Sequence, residues 1–210
     1  MANYFPPAVR RHLSALRMLL VLTVITGVLY PLAVTGVAQA AFHHQANGSV
    51  ATDNGKTVGS GLLGQNFDLP KKNPADADEA ARPDPKFFQP RPSAGSYDPL
   101  ASGASNLGPN DPGLIKAIKD RRAAVAAFDG VNPRDVPADA LTASGSGLDP
   151  DISTAYAYEQ VNRVAQARGL SQAQVHQLVA DHVHGRDLGF LGEPRVNVLD
   201  LNRALNGLSG

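Results

Sequence analysis

Few side-chain arrangements in this chain could do chemistry. Gly59-Ser60-Gly61-Leu62-Leu63-Gly64 fits G-x-G-x-x-G, the spacing that lets a backbone approach a dinucleotide pyrophosphate. That chemistry needs a helix N-terminus directly after the loop, yet Pro70 follows within six residues, so a glycine-rich strand and turn is expected. His182 and His184 flank Val183 beside Asp181. Rings two residues apart on one helix diverge, and a metal site needs three or four converging ligands, so solvated histidines are expected there and at His43 and His44. Arg168–Ala180 has the look of a DNA-binding helix pair, but no Lys or Arg follows on its second helix before Arg186. Without phosphate and base donors, a capped helical hairpin and no nucleic-acid partner are expected. The chain has no G-x-S-x-G serine, no cysteine and no G-x-x-x-x-G-K-[ST] phosphate loop. Its 19 acidic residues show no spacing that singles out a catalytic pair. A hydrolase using such a pair is the enzymatic alternative.

The elements that must position these residues read as follows. Residues 43–56 are polar and aperiodic, a linker. Thr57–Phe67 is strand and turn. Pro70–Pro85, rich in proline, alanine and mixed charge, reads as a mobile surface loop. A helix starts at Asn110 or Asp111 with Pro112 in its first position and ends near Phe128, before Gly130. Its apolar face is Leu114, Ile115, Ile118 and Val125. Leu141–Leu148 mixes strand and turn signals. Ser153 can cap a helix through Ala167, with Val161, Val164 and Ala165 inward and Gly169 closing it. Ser171 and Gln174 form a capping box for a helix carrying Val175, Leu178 and Val179, which Gly185 ends. Arg195–Val198 is a strand and Leu199–Leu205 a closing helix. Together these predict an α/β or α+β domain with a small sheet and about four helices.

Composition sets the topology. Residues 1–17 hold Arg10, Arg11 and Arg17 and no acid. From Asp53 onward there are 16 basic against 19 acidic residues, a net of −3. Met18–Phe42 contains no charged side chain; as a helix it would reach ~37 Å, more than the roughly 30 Å of bilayer hydrocarbon. Pro31 should kink it. The positive-inside rule puts residues 1–17 in the cytoplasm and the domain, 57–210, outside a cell (plasma or inner) membrane crossed once. Ala38-Gln39-Ala40 offers a signal-peptidase site instead, but the apolar run before it is 23 residues, against roughly 7–15 for a signal sequence. Either way the domain is exported, and with no cysteine its core must hold without disulfides.

An ordered set of blocks resembles the C subunit of Kdp potassium-transporting ATPases. They are Gly59–Phe67 (GSGLLGQNF), Phe87-Phe88 with Arg91-Pro92-Ser93-Ala94 and Tyr97, Ser105–Pro109 (SNLGP), Leu141–Ile152 (LTASGSGLDPDI), Val161–Leu170 (VNRVAQARGL) and Leu191–Leu205 (LGEPRVNVLDLNRAL). Lys71–Pro85 looks inserted between them. The resemblance implies three partners besides membrane lipid: a channel-like potassium-translocating subunit, a P-type ATPase subunit and a very small lipid-like subunit. It implies potassium as the transported ion. The chain lacks the DKTGT phosphorylation motif and so is not the pump subunit itself. The family is also described as a catalytic chaperone that raises the pump's affinity for ATP. Ser144–Asp149 resembles the signature loop of ATP-binding cassette proteins, although the charge asymmetry puts the domain on the side away from ATP. The expected role is therefore a non-catalytic accessory subunit with no firmly bound cofactor and no metal. Its docking or structural residues are Arg91, Ser93, Asn106, Ser144, Ser146, Asp149, Glu193, Arg195, Asn197 and Asn202. Asp149 and Asp151 are expected to meet a helix start, and Glu193 and Arg195 to orient a turn or pair across an interface.

Overall fold

The computed structural model describes residues 6–76 and 79–208, in two units that divide between Ser49 and Val50. In the first, one helix runs from Pro7 to Ala41 as α1 (Pro7–Val24), a π turn (Ile25–Leu29) and α2 (Tyr30–Ala41). It is long and apolar enough to cross a membrane and begins 11 residues before the expected Met18, with proline at its first position, where a missing N–H costs nothing. The π turn lies just ahead of Pro31. Proline has no N–H to give the Gly27 carbonyl and its ring crowds that oxygen, so a wider turn relieves the clash. A short helix, α3 (His43–Ala46), follows, and Asn47 closes it by donating to the His43 carbonyl at 2.6 Å.

The second unit opens with an antiparallel hairpin, β1 (Val50–Asp53) and β2 (Lys56–Ser60). Asn54 and Gly55 turn it with φ of 50° and 76°, both left-handed, as a two-residue hairpin turn requires. A strand thus stands inside the segment expected to be linker. The other sheet has β3 (Asp151–Ser153), β4 (Val183–His184) and β5 (Arg195–Asn197) in the antiparallel order β3-β5-β4. With both sheets antiparallel, the architecture is α+β.

Among the described residues this unit has five α-helices: α4 (Pro112–Asp129), α5 (Thr154–Glu159), α6 (Val161–Arg168), α7 (Gln172–Asp181) and α8 (Val198–Gly207). The cap signals work as expected. Asp111 Oδ1 accepts the Gly113 and Leu114 N–H groups, Gly130 ends α4 at φ 71°, and Ser171 with Gln174 makes the capping box of α7. Three expectations need correction. The helix from Ser153 is two helices, broken at Gln160, whose side chain bonds elsewhere. Helix α7 stops at Asp181 because Val183 and His184 pair with β5 as β4. Leu141–Leu148 contains turns and no strand.

The core gathers Phe88, Leu141, Ile152, Tyr156, Val164, Val175, Val179, Val196, Leu201 and Leu205. On α4 it takes Ala126 and half-buried Val125 and Ile118, while Ile115 stays exposed. Phe88 and Gln89 cross this interior with no strand beside them. Side chains replace the missing ladder. Asn202 accepts the Phe88 N–H at 2.8 Å and donates to its carbonyl at 2.9 Å. Gln160 does the same for Gln89 at 2.6 and 3.1 Å. Arg163 completes the clamp by donating to the Pro85 and Phe87 carbonyls, to Gln160 Oε1 and to buried Asp129.

Candidate functional site

The segment after Gln89 (Arg91), the 3-10 turn Ala138–Ala140 (Asp139), the loop into β3 and β3 itself (Asp149, Asp151) and the segment entering β5 (Glu193, Arg195) surround a cleft of about 370 Å³. Arg91 Nη1 meets Asp149 Oδ2 at 2.8 Å, and Arg195 Nε meets Asp151 Oδ2 at 3.1 Å. Asp139 accepts both the N–H and the hydroxyl of Ser153, at 2.7 and 2.9 Å. Glu193, on the rim, accepts from Arg186 at 2.8 Å. Burial raises the Asp151 carboxyl above its ordinary range, and Arg195 opposes the rise. Asp149 does not cap a helix as expected: it pairs with Arg91 and accepts the Asp151 N–H, and the chain continues as strand. Ser153 caps α5, as the sequence led us to expect.

The serine loop packs behind this cleft. Ser93 donates to the Gly147 carbonyl at 2.7 Å and accepts the N–H groups of Gly95 and Tyr97. Tyr97 donates to the Arg91 carbonyl at 2.6 Å. Ser144 is buried and gives its N–H to Pro92; Gly147 gives its own to Ser144, and Leu148 gives its own to the Ser146 hydroxyl. The Ser146 carbonyl receives Ser102 and Gly103. Three amides of the stretch resembling a nucleotide loop are therefore bound to the protein itself. In G-x-G-x-x-G, Gly64 gives its N–H to the Leu148 carbonyl at 2.8 Å, and a Cβ there would come within 2.5 Å of the Asp149 carbonyl oxygen. These glycines serve close packing, and no helix follows them.

The ten candidate residues thus fall into three sets. Arg91, Ser93, Ser144, Ser146, Asp149, Glu193 and Arg195 share the cleft and its backing loop. Asn197 caps α8, accepting the Asp200 N–H, and donates to the Gly61 carbonyl; Asn202 lies in the interior. Asn106 stands apart in an exposed loop at φ 54°. His182 turns its Nδ1 to the Leu178 carbonyl, and among the described residues no three His, Cys, Asp or Glu side chains are grouped to hold a metal.

Comparison with known proteins bears on the whole of this arrangement. The family model for the c chain of K+-transporting ATPase, KdpC, matches residues 12–207. The chain belongs to the KdpC family. Potassium-transporting ATPase KdpC subunits resemble it closely. That of Streptomyces avermitilis is 53% identical over 208 residues, covering 93% of this chain and 92% of its own. That of Kineococcus radiotolerans is 53% identical, covering 93% of each chain. That of Mycobacterium bovis is 49% identical, covering 95% of this chain and 99% of its own.

In this KdpC-family chain, sequence reasoning missed Gln89, Asp129, Glu159, Gln160 and Arg163. No local signal was available: at helical spacing Arg163 falls on the face opposite Val161, Val164 and Ala165, which a sequence reading gives to solvent, yet it is buried. Its partner, Asp129, lies 34 residues away, beyond any local pattern.

Proposed function

We propose that this chain is a non-catalytic subunit of an ATP-driven potassium-uptake complex, docked on the outer face of the potassium-translocating subunit. The helix Pro7–Ala41 holds it in the cell membrane, N-terminus in the cytoplasm and second unit outside. Along that helix Gly27 and Gly36 are small enough to admit a close neighbour, such as the P-type ATPase subunit or the small lipid-like subunit. Potassium is the ion carried by the complex.

The pairing of charges in the cleft carries this reading. Arg91, Asp149, Asp151, Arg195 and Glu193 each have an opposite partner within hydrogen-bond range. A general acid or base needs a group ready to exchange protons with substrate. Fixed pairs on a surface instead orient an incoming protein and set its register. The internal bonding of the Ser144–Leu148 amides likewise suits packing over nucleotide binding.

The test is recovery of the complex from native membranes through a tag on this chain. A P-type ATPase should come with it. Arg195→Ala leaves Asp151 half-buried without its arginine and should weaken assembly by about 2 kcal/mol, with ATPase and transport falling in step with complex recovered. Full assembly with ATP hydrolysis abolished would instead assign a catalytic role.

A further inference from the structure

We propose that the hairpin tip between β4 and β5, Arg186–Glu193, is an apolar anchor that inserts into a pocket on a membrane-embedded protein partner. This rests on the docking role above and names the piece of surface that carries it. Leu188 is 83% exposed, Phe190 69% and Leu191 49%, three apolar side chains together on one loop.

The loop is built to present them. Asp187 and Leu191 exchange two backbone hydrogen bonds of 2.9 Å, and the Gly189 N–H meets the Arg186 carbonyl at 3.1 Å. Leu188 sits at φ 54° and Gly189 at φ 83°. Leucine is disfavoured in the left-handed region, and here that conformation holds it at the apex of the turn. A tip already ordered loses little freedom on binding.

The surrounding charges select the kind of partner. Arg186 pairs with Glu193 at 2.8 Å, and Arg195 reaches toward Asp187 at 3.8 Å. An apolar centre inside a rim of both signs is the anatomy of a protein contact. A lipid surface favours a basic rim with Trp or Tyr. Here the Asp187 and Glu193 side chains are 70% and 80% exposed, and the chain has no Trp. Gly192, Glu193 and Arg195 also line the paired-charge cleft, so tip and cleft are one continuous surface.

Size argues for a partner in the same bilayer. The three side chains offer roughly 400 Å² of apolar area, short of the ~800 Å² per side of a stable free-standing interface. A tethered chain needs less, because the contact forms at an effective concentration on the order of millimolar.

Two variants of the full chain, expressed with its partners, test this. Leu188→Ser combined with Phe190→Ser should cut partner recovery about tenfold and leave the thermal transition of the purified chain unchanged. Leu188→Gly relieves the left-handed strain, so it should keep or raise that transition and still lower recovery. Leu100→Ser, at a side chain 95% exposed elsewhere, should recover partner like the wild type. With no native Trp, Phe190→Trp supplies a single tryptophan, excited apart from the five tyrosines, for the purified chain in phosphatidylcholine–phosphatidylglycerol vesicles with brominated acyl chains. Unquenched emission is expected, and quenching would mark a lipid finger and overturn the proposal. Disulfide-linked dimers of Phe190→Cys would overturn it in favour of a second copy. If the tip variants assemble normally while Arg195→Ala does not, the tip proposal falls and the docking role stands. If the wild-type chain recovers no partner, both fall.

Discussion

Asn202 and Gln160 each use one amide to satisfy both the N–H and the carbonyl of a buried residue, as a neighbouring strand would. Asn202→Ala therefore leaves two polar groups of fully buried Phe88 without partners. At about 1–3 kcal/mol per group, the thermal transition should fall on the order of 10 °C. Asn197→Ala removes a helix cap worth about 1 kcal/mol and a bond to the Gly61 carbonyl, and leaves no fully buried residue with both backbone groups unpaired, so it should cost less. Thermal denaturation of the two purified variants decides it. A pH effect is expected at Glu159, where one carboxylate oxygen is buried with no partner among the described residues. Burial, then the neighbouring Asp129, Asp139 and Asp135, push its pKa from 4.5 up to about 7. Folding takes up a proton between those values, so this residue's contribution is full below pH 4.5 and is lost as pH rises through 7. Glu159→Gln should therefore gain stability over wild type at pH 8 and not at pH 5; a variant weaker than wild type at pH 8 would refute the assignment. At this scale the sequence pointed to Arg91, Asp149 and Arg195 through their blocks and missed their pairings. Arg91 and Asp149 are 58 residues apart, and no periodicity carries that information.

Elements were more legible where a local signal suffices. The Asp111 cap, the Ser171–Gln174 box and the glycine stops after α4 and α6 are read within one helical turn, and they were read correctly. The break at Gln160 was not visible, because no glycine or proline marks it. The hairpin at Val50 was missed although Asn54-Gly55 is a strong turn signal, since its strands are short and mostly polar. The insert shows a similar contrast. Expected to lack fixed contacts, it is organised around Glu79, whose carboxylate accepts the Lys72 and Asn73 N–H groups, each at 2.9 Å. Those two bonds, Asn73 first, hold its pKa below the ordinary value. The base closes where the Leu69 N–H meets the Arg82 carbonyl at 2.8 Å and Asp68 bridges Pro83. Beyond that closure residues 71–76, 80 and 81 are exposed and Glu79 is half-buried. Replacing residues 71–81 with a short Gly-Ser turn should leave the thermal transition and complex recovery nearly intact, since loop closure changes by only ~0.6 kcal/mol per doubling of length. Loss of uptake at normal expression would show that the insert touches a partner.

The whole molecule must commit to one side of the membrane, and the two functions considered for the family need opposite sides. A docking subunit on the outer face needs the second unit outside; a nucleotide-handling one needs it in the cytoplasm. Charge favours the first. Arg10, Arg11 and Arg17 lie on one side of the apolar stretch, and only Lys56 follows it within about fifteen residues. Helix length does not decide, because a helix long and apolar enough to cross a membrane spans equally well in either direction. The absence of cysteine makes the question directly testable. Ala2→Cys and Gln45→Cys flank the helix, and Gln45 is exposed on the short helix α3 that follows it. An impermeant thiol reagent applied to intact cells, or to spheroplasts where an outer barrier interferes, should label position 45. Position 2 should react only after the membrane is opened. The reverse pattern would put the Ser144–Leu148 loop within reach of cytoplasmic ATP and remove the outer docking surface altogether, with the cleft and the hairpin tip then facing cytoplasmic partners.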